Sequence, residues 1–337
     1  MTEFEQALDD GRLASRLAAR VVTLAALAGR FKIYLVFLLI AAGFAITSPV
    51  FLTPTNWLNI GRNTALVSIV AVGMTFVIIS GEIDLSVASV LALSGMTGAM
   101  AMAQFDNQWY WGVAAALATG AICGLLNGLL TTRLAVPSFL ITIGTMSSVR
   151  GVAMLVTGTV AVPIISDPYN LVFGGGYVAV LPVPIVWTVI VVVLGILGMH
   201  YLSFGRKVYA TGGNANAARY SGINTGTIKT LAFLISGLCA SLAGIVLCAT
   251  TQAARPDFAS GMELDVLAAV ILGGTSLFGG KGTILGSILG SLMIGVLNNG
   301  LTLLGVNSSA QQVAKGIIII AAVSLAREGG FRLVRRK

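Results

Sequence analysis

The sequence predicts an all-α polytopic membrane protein with about ten transmembrane helices, arranged as an inverted five-plus-five repeat. Three observations predict it. Hydrophobic residues make up 56% of the chain and charged residues only 9%, against about 25% charged in a soluble domain, so much of its surface suits lipid rather than water. Ten apolar runs approach the roughly 20 residues a helix needs to cross a bilayer. A short acidic motif recurs in two places that a ten-span topology makes equivalent.

The runs cover residues 31–48, 64–80, 84–104, 109–132, 138–157, 184–202, 230–251, 264–278, 283–304 and 311–326. The eighth is short and flanked by glycine. Orientation comes from basic residues, which concentrate in cytoplasmic loops. The loop 203–229 holds Arg206, Lys207, Arg219 and Lys229 and no acid, and the tail from Arg327 holds Arg332, Arg335, Arg336 and Lys337 against Glu328. Both therefore face the cytoplasm. Ten spans then put the N-terminus inside as well, in agreement with Arg12, Arg16, Arg20, Arg30 and Lys32. Asp106, Asp167 and Asp257 fall outside. The expected organisation is a cytoplasmic tail over 1–30, one transmembrane domain over 31–326 and a basic tail over 327–337. The first 30 residues do not read as a cleavable signal, because the apolar run after them lacks a small-residue cleavage site and precedes nine more. Leu, Val, Ala and Arg at helical spacing over 12–28 fit either an interfacial helix on the inner leaflet or a disordered tail.

Residues 82–95 read EIDLSVASVLALSG and residues 263–274 read ELDVLAAVILGG. Each has Glu-x-Asp, a stretch rich in small apolar residues, then glycine. The first opens the third span from inside and the second opens the eighth from outside, five spans on, as an inverted repeat requires.

Polar groups inside such a chain are costly and mark candidate sites. Glu82 and Asp84 follow Ser80-Gly81, which can break a helix, and Asp84 or Ser86 can cap the next one. These groups, with Asn127, Thr142, Thr145, Glu263 and Asp265, read either as lining for a wet translocation path or as helix caps and helix-to-helix bonds. Arg150 lies within the span 138–157 and reads as a structural charge, paired with a carboxylate or bonded to helix-end carbonyls. Gly286 and Gly290 form a small-xxx-small face.

Several function classes are excluded. The net charge of +8 sits in tails and one loop, which is not a nucleic-acid footprint. Cys123, Cys239 and Cys248 lie in apolar runs without metal-ligand spacing, and His200 is the single histidine, so no metal site or nucleophilic triad is expected. Gly280-Lys281 resembles the end of a phosphate-binding loop, but Thr275 stands where its first glycine belongs and Gly282 where Ser or Thr is required. No ATP site or other cofactor site is expected in this chain.

In the loop 203–229, residues 214–221 form a candidate short helix capped by Asn214, with Ala217 and Ala218 on one face. A solvated connector and a docking helix both fit. Five separated motifs then carry a resemblance: GEIDLSVAS at 81–89, FLITIGTMSSVRG at 139–151, FGRKVYATGGNANAARYSGI at 204–223, ELDVLAAVILGGTSLFGGKGTILG at 263–286 and KGIIIIAAV at 315–323. Together, over roughly 31–326, the chain resembles the permease subunits of ribose-type ATP-binding-cassette importers of monosaccharides. Ala88 replaces a glycine common in that family. The resemblance implies a bacterial inner-membrane complex with a second permease subunit, a cytoplasmic ATPase that binds the ATP, and a periplasmic sugar-binding protein. It implies that Gly205 to Ile223 hold the coupling helix, with Gly205, Arg206, Tyr209, Gly212, Gly213, Asn214, Ala217, Ala218, Arg219 and Gly222 contacting the ATPase. Glu82, Asp84 and Ser86 match its first acidic motif, and Glu263 and Asp265 its second. The rival readings are a proton-coupled secondary transporter, with Glu82, Asp84, Glu263 and Asp265 as carriers, and a related permease for branched-chain amino acids or nucleosides.

Overall fold

The computed structural model describes residues 37–134, 136–307, 309–314 and 316–317. The expected tails at 1–30 and 327–337, the start of the first run and the end of the last lie outside these residues.

Helices dominate. The helix α1 (Phe37–Thr47) is apolar and short, and it belongs to a unit ending at Pro49 that is compact in itself. The second unit begins at Val50. It holds α2 (Pro54–Ile79), α3 (Val87–Gln104), α4 (Trp109–Leu134), α5 (Ser138–Thr157), the one-turn α6 (Asp167–Asn170), α7 (Val183–Ile196), α8 (Ser203–Gly213), α9 (Ala215–Tyr220), α10 (Thr225–Thr251), α11 (Met262–Leu272) and α12 (Ile284–Leu303). Wider π turns extend α6 over Leu171–Gly175 and α7 over Leu197–Tyr201. Two antiparallel pairs of two-residue strands close the connections: β1 (Val162–Pro163) with β4 (Ala253–Ala254), and β2 (Tyr177–Val178) with β3 (Leu181–Pro182).

Among the described residues seven helices are long and apolar enough to cross a membrane: α2, α3, α4, α5, α7 with its π turn, α10 and α12. The expected run 264–278 is instead the 11-residue α11. It ends where Gly273 and Gly274 follow, Gly274 at φ +86°, and the N–H groups of Gly274 and Thr275 fold back onto Ile271 and Val270, a glycine-led helix stop. Ten crossing helices are thus not seen among the described residues.

Helix starts were also misjudged by hydropathy. α2 begins at Pro54, where Thr53 accepts the N–H of Asn56 and proline occupies the first turn, a favoured start. The polar Asn59, Arg62 and Asn63 hide that first stretch from an apolar scan. α10 begins at Thr225, where Asn224 caps the N–H of Thr227 at 3.1 Å.

The core lies where α2, α3 and α10 meet, and most of their spanning length is buried. α2 and α10 touch at Gly73, where a Cβ would sit 2.8 Å from the Ser236 Cα. α4, α5 and α7 turn large apolar side chains outward, including Leu126, Leu155 and Leu194, as a lipid-facing shell does. A polar seam joins α2 to α12. Asn56 and Asn299 exchange amide bonds of 3.0 and 2.9 Å, Ser68 meets Ser291 at 2.6 Å, and Thr75 donates to Ser287 at 2.7 Å. Gly286 and Gly290 lie against the Gly273 and Ala269 carbonyls of α11, so the small-residue face is used.

Candidate functional site

α2 ends at Ser80-Gly81. Gly81 has φ +87°, a left-handed conformation nearly free for glycine alone, and its N–H and that of Glu82 close onto Ile78 and Val77. The chain then runs without helical bonds to Ser86, where α3 starts. A break at membrane depth leaves backbone groups that need partners. α5 supplies them at Ile83: Ser138 Oγ accepts the N–H at 3.0 Å and Thr142 Oγ1 donates to the carbonyl at 3.3 Å.

Asp84 is the hub of this break. Its Oδ1 accepts the Ser86 N–H at 3.0 Å and the Ser86 hydroxyl at 2.6 Å, and its Oδ2 accepts the Ser236 hydroxyl of α10 at 2.8 Å. Asn127 of α4 donates to Ser86 Oγ at 2.8 Å. Asp84 is only 2% exposed, and Ser86, Asn127 and Thr142 are not exposed at all. Two positions before Asp84, Glu82 forms an ion pair with Lys229 of α10. The break therefore ties α2, α3, α4, α5 and α10 together.

Of the two readings of these groups, the contacts here are those of caps and helix-to-helix bonds. Asp84, Ser86, Asn127 and Thr142 are brought together and bond one another and backbone, while the Asn127 Oδ1 is buried without a donor. Thr145 is half-buried further along α5. Glu263 and Asp265 sit half-buried in the first turn of α11, where a helix dipole favours acids, and they do not join the Asp84 cluster. Arg150 marks their end of the chain. Its Nη1 donates to the carbonyls of Pro256 at 2.5 Å and Phe258 at 2.9 Å, and Glu263 and Asp257 attract it electrostatically. Arg150 follows Ser138 by twelve helical residues, about 18 Å, so the two acidic motifs approach α5 at places well apart along it. In the loop before α11, Arg255 bonds both Asp257 oxygens at 3.0 and 2.9 Å and holds that carboxyl below its usual range. Among the described residues no cluster of three His, Cys, Asp or Glu could hold a metal.

The segment 203–223 divides into anchoring and free residues. Gly205 lies against the Met199 carbonyl and Gly212 against the Ile79 carbonyl at the end of α2. The Gly280 N–H also reaches Ile79 O at 2.9 Å, and Tyr209 donates to Gly282 O at 2.7 Å. Burial pushes the Tyr209 hydroxyl above its usual pKa, which keeps it a donor. Asn214 caps α9 by accepting the Ala217 N–H at 3.0 Å, and Arg219 Nε donates to Thr225 Oγ1 at 2.9 Å. Gly222, at φ +80°, ends α9. Ala217 is exposed whereas Ala218 is 4% exposed. The two alanines thus do not share a face: consecutive helical residues point about 100° apart, and Ala218 packs inward. Arg206, Gly213, Asn214, Ala217, Arg219 and Gly222 are exposed. The sequence reading missed Lys229, Ser138 and Ser236. A serine within the apolar α10 was the available signal for Ser236.

Residues 56–323 match the family described as branched-chain amino acid transport system / permease component. The chain is 43% identical over 296 residues to the ribose import permease protein of Escherichia coli (strain K12), covering 87% of this chain and 92% of that one. It is 40% identical over 286 residues to the ribose import permease protein of Bacillus subtilis (strain 168), covering 84% and 88%. The D-allose transport system permease protein of Escherichia coli (strain K12) is 36% identical over 299 residues, covering 88% of this chain and 91% of that one. No solved structure matches.

Proposed function

The chain belongs to the permease-component family of the branched-chain amino acid transport system type, and from that premise we propose that it is the membrane-spanning subunit of an ATP-driven importer of a monosaccharide. The observation that carries the sugar assignment is the identity of 43% to a ribose import permease over 87% of the chain. Its function is transport, and ATP is bound and hydrolysed by a cytoplasmic ATPase partner. A periplasmic binding protein delivers the sugar and a second permease subunit completes the path. The protein sits in the bacterial inner membrane with both termini in the cytoplasm.

Ten spans in two inverted halves complete this reading. Helix pairing supports it: α3 with α4 corresponds to α11 with α12, α4 with α10 corresponds to α12 with α2, and α2 meets α10 at the centre. Glu82-Ile83-Asp84 precedes α3 as Glu263-Leu264-Asp265 opens α11.

The coupling step follows from the contacts. α9 presents Ala217 and its exposed neighbours to the ATPase. Arg219 ties α9 to Thr225 at the start of α10, Lys229 one turn on holds Glu82, and Ser236 two turns further holds Asp84. A push on α9 thus reaches the α2–α3 break through a continuous row of polar contacts, and the break is where the helices of one half can reorient. Asp84, Ser86, Asn127 and Thr142 position that break, and in this reading Thr145, Glu263 and Asp265 border the path. ATP-dependent sugar uptake into vesicles holding the chain, an ATPase and the binding protein tests the proposal. Uptake by the chain alone on a pH gradient would overturn it in favour of a proton-coupled carrier.

A further inference from the structure

α2 carries a single charged side chain, Arg62. Counting back about 20 residues of bilayer-crossing helix from Ile79 puts the edge of the hydrocarbon near Ile60. Arg62 therefore lies at the boundary between acyl chains and headgroups, at the end of α2 remote from Gly81. Trp57, one turn further out, and Tyr177 are both exposed, as aromatic residues at a membrane interface are. Arg62 Nη2 donates to the Tyr177 hydroxyl at 2.6 Å, and the guanidinium carbon stands 5.5 Å from the Tyr177 ring centre. Its Nε is buried without an acceptor. Among the described residues no carboxylate lies within ion-pairing distance of it. A cation with free donors at this depth calls for an anion, and a planar guanidinium fork matches phosphate oxygens.

The same tyrosine borders a groove of about 370 Å³, lined by Leu171, Val172, Val183, Val186, Trp187 and Ile190. The Trp187 N–H is already taken by the Val172 carbonyl at 2.9 Å, so the groove wall offers almost nothing to a sugar hydroxyl. It suits a hydrocarbon chain. We propose that Arg62, Tyr177 and this groove form a phospholipid site, with the headgroup phosphate on Arg62 and an acyl chain along α7. A free phosphate would leave the groove empty, and an uncharged sugar would leave the cation unmatched. The site stands on Arg62 and the groove; in the orientation proposed above it faces the outer leaflet, and that placement alone rests on the proposed function.

Native mass spectrometry of the intact detergent-solubilised chain tests it, with dioleoyl-phosphatidylglycerol as the probe. One lipid per chain is retained by the wild type. Arg62→Gln lowers retention roughly tenfold, as expected for the loss of charge-assisted hydrogen bonds. Val186→Trp, which fills the groove and leaves the cation intact, lowers it as well, and it carries the test if the first variant elutes as an aggregate. Dioleoylglycerol, which lacks the phosphate, is retained no better than by Arg62→Gln. Wild-type retention by the variants, equal retention of dioleoylglycerol, or full displacement by millimolar inorganic phosphate would each overturn the site. The readout is independent of transport, so failure of the importer assay leaves this result unaffected.

Discussion

Replacing Asp84 by alanine separates a dry structural knot from a hydrated path. The carboxylate accepts three hydrogen bonds, from the Ser86 N–H, the Ser86 hydroxyl and the Ser236 hydroxyl. In the alanine variant the Ser86 N–H cannot turn elsewhere, and a stranded buried donor costs about 1–3 kcal/mol. The Ser236 hydroxyl recovers part of its loss by rotating to the carbonyl one helical turn earlier, and the Ser86 hydroxyl still receives Asn127. The sum is a loss of about 3–4 kcal/mol, well above the ~0.6 kcal/mol typical of one interhelical hydrogen bond in a membrane protein. Asp84→Asn keeps one amide oxygen and should recover more than half of that loss. Reversible unfolding of the purified chain in mixed micelles measures both variants. A loss under ~1 kcal/mol for Asp84→Ala, as expected where water can replace the carboxylate, would refute the buried knot.

Other expectations follow from the same contacts. Ala218→Trp should unfold the α8–α9 corner, since Ala218 is 4% exposed, whereas Ala217→Trp should leave stability unchanged and reduce co-purification of the ATPase; equal behaviour of the two would reject the division of α9 into inner and outer faces. A double-mutant cycle on Glu82→Gln and Lys229→Met should yield a coupling of at least about 1 kcal/mol, since both side chains are largely buried and such a pair is little screened by water, and zero coupling would remove that link from the path between α9 and Asp84. Asp257 is held below its ordinary carboxyl pKa by Arg255. Its small contribution is therefore present above the unfolded pKa and lost as pH falls through the lower folded value. Carbon-detected NMR titration of Asp257 in Arg255→Ala should find the carboxyl back near its ordinary value, and an unchanged midpoint would remove Arg255 as the cause.

The polar residues in the apolar α10 each meet a partner from another element. Along α10, Thr225, Lys229 and Ser236 lie on the side that meets Arg219, Glu82 and Asp84 in turn. Each contact alone is modest. In the proposed coupling, they link the start of α10 to α9 and the α2–α3 break to α10.

Composition and the spacing of apolar runs were enough to assign a helical membrane protein, because lipid leaves a chain few ways to satisfy its backbone. Local chemistry was legible too. Asn214 caps α9, and Gly286 and Gly290 admit α11 close to α12, since caps and small residues act through their immediate neighbours. Helix length was less legible. Thr53 and Pro54 start α2 ten residues ahead of its apolar run, and paired glycines end α11 early, because capping rather than hydropathy sets where a helix begins and stops. Least legible was the use made of each polar group. Nothing in the string EIDLS says that Asp84 will meet Ser236, 152 positions away, or that Glu82 will meet Lys229. Those partners come from the crossing of α2, α3 and α10, and the crossing depends on how side chains far apart in sequence fill shared space. Residue types therefore told what each group can bond, and packing alone chose whether it faces water, lipid or another buried group.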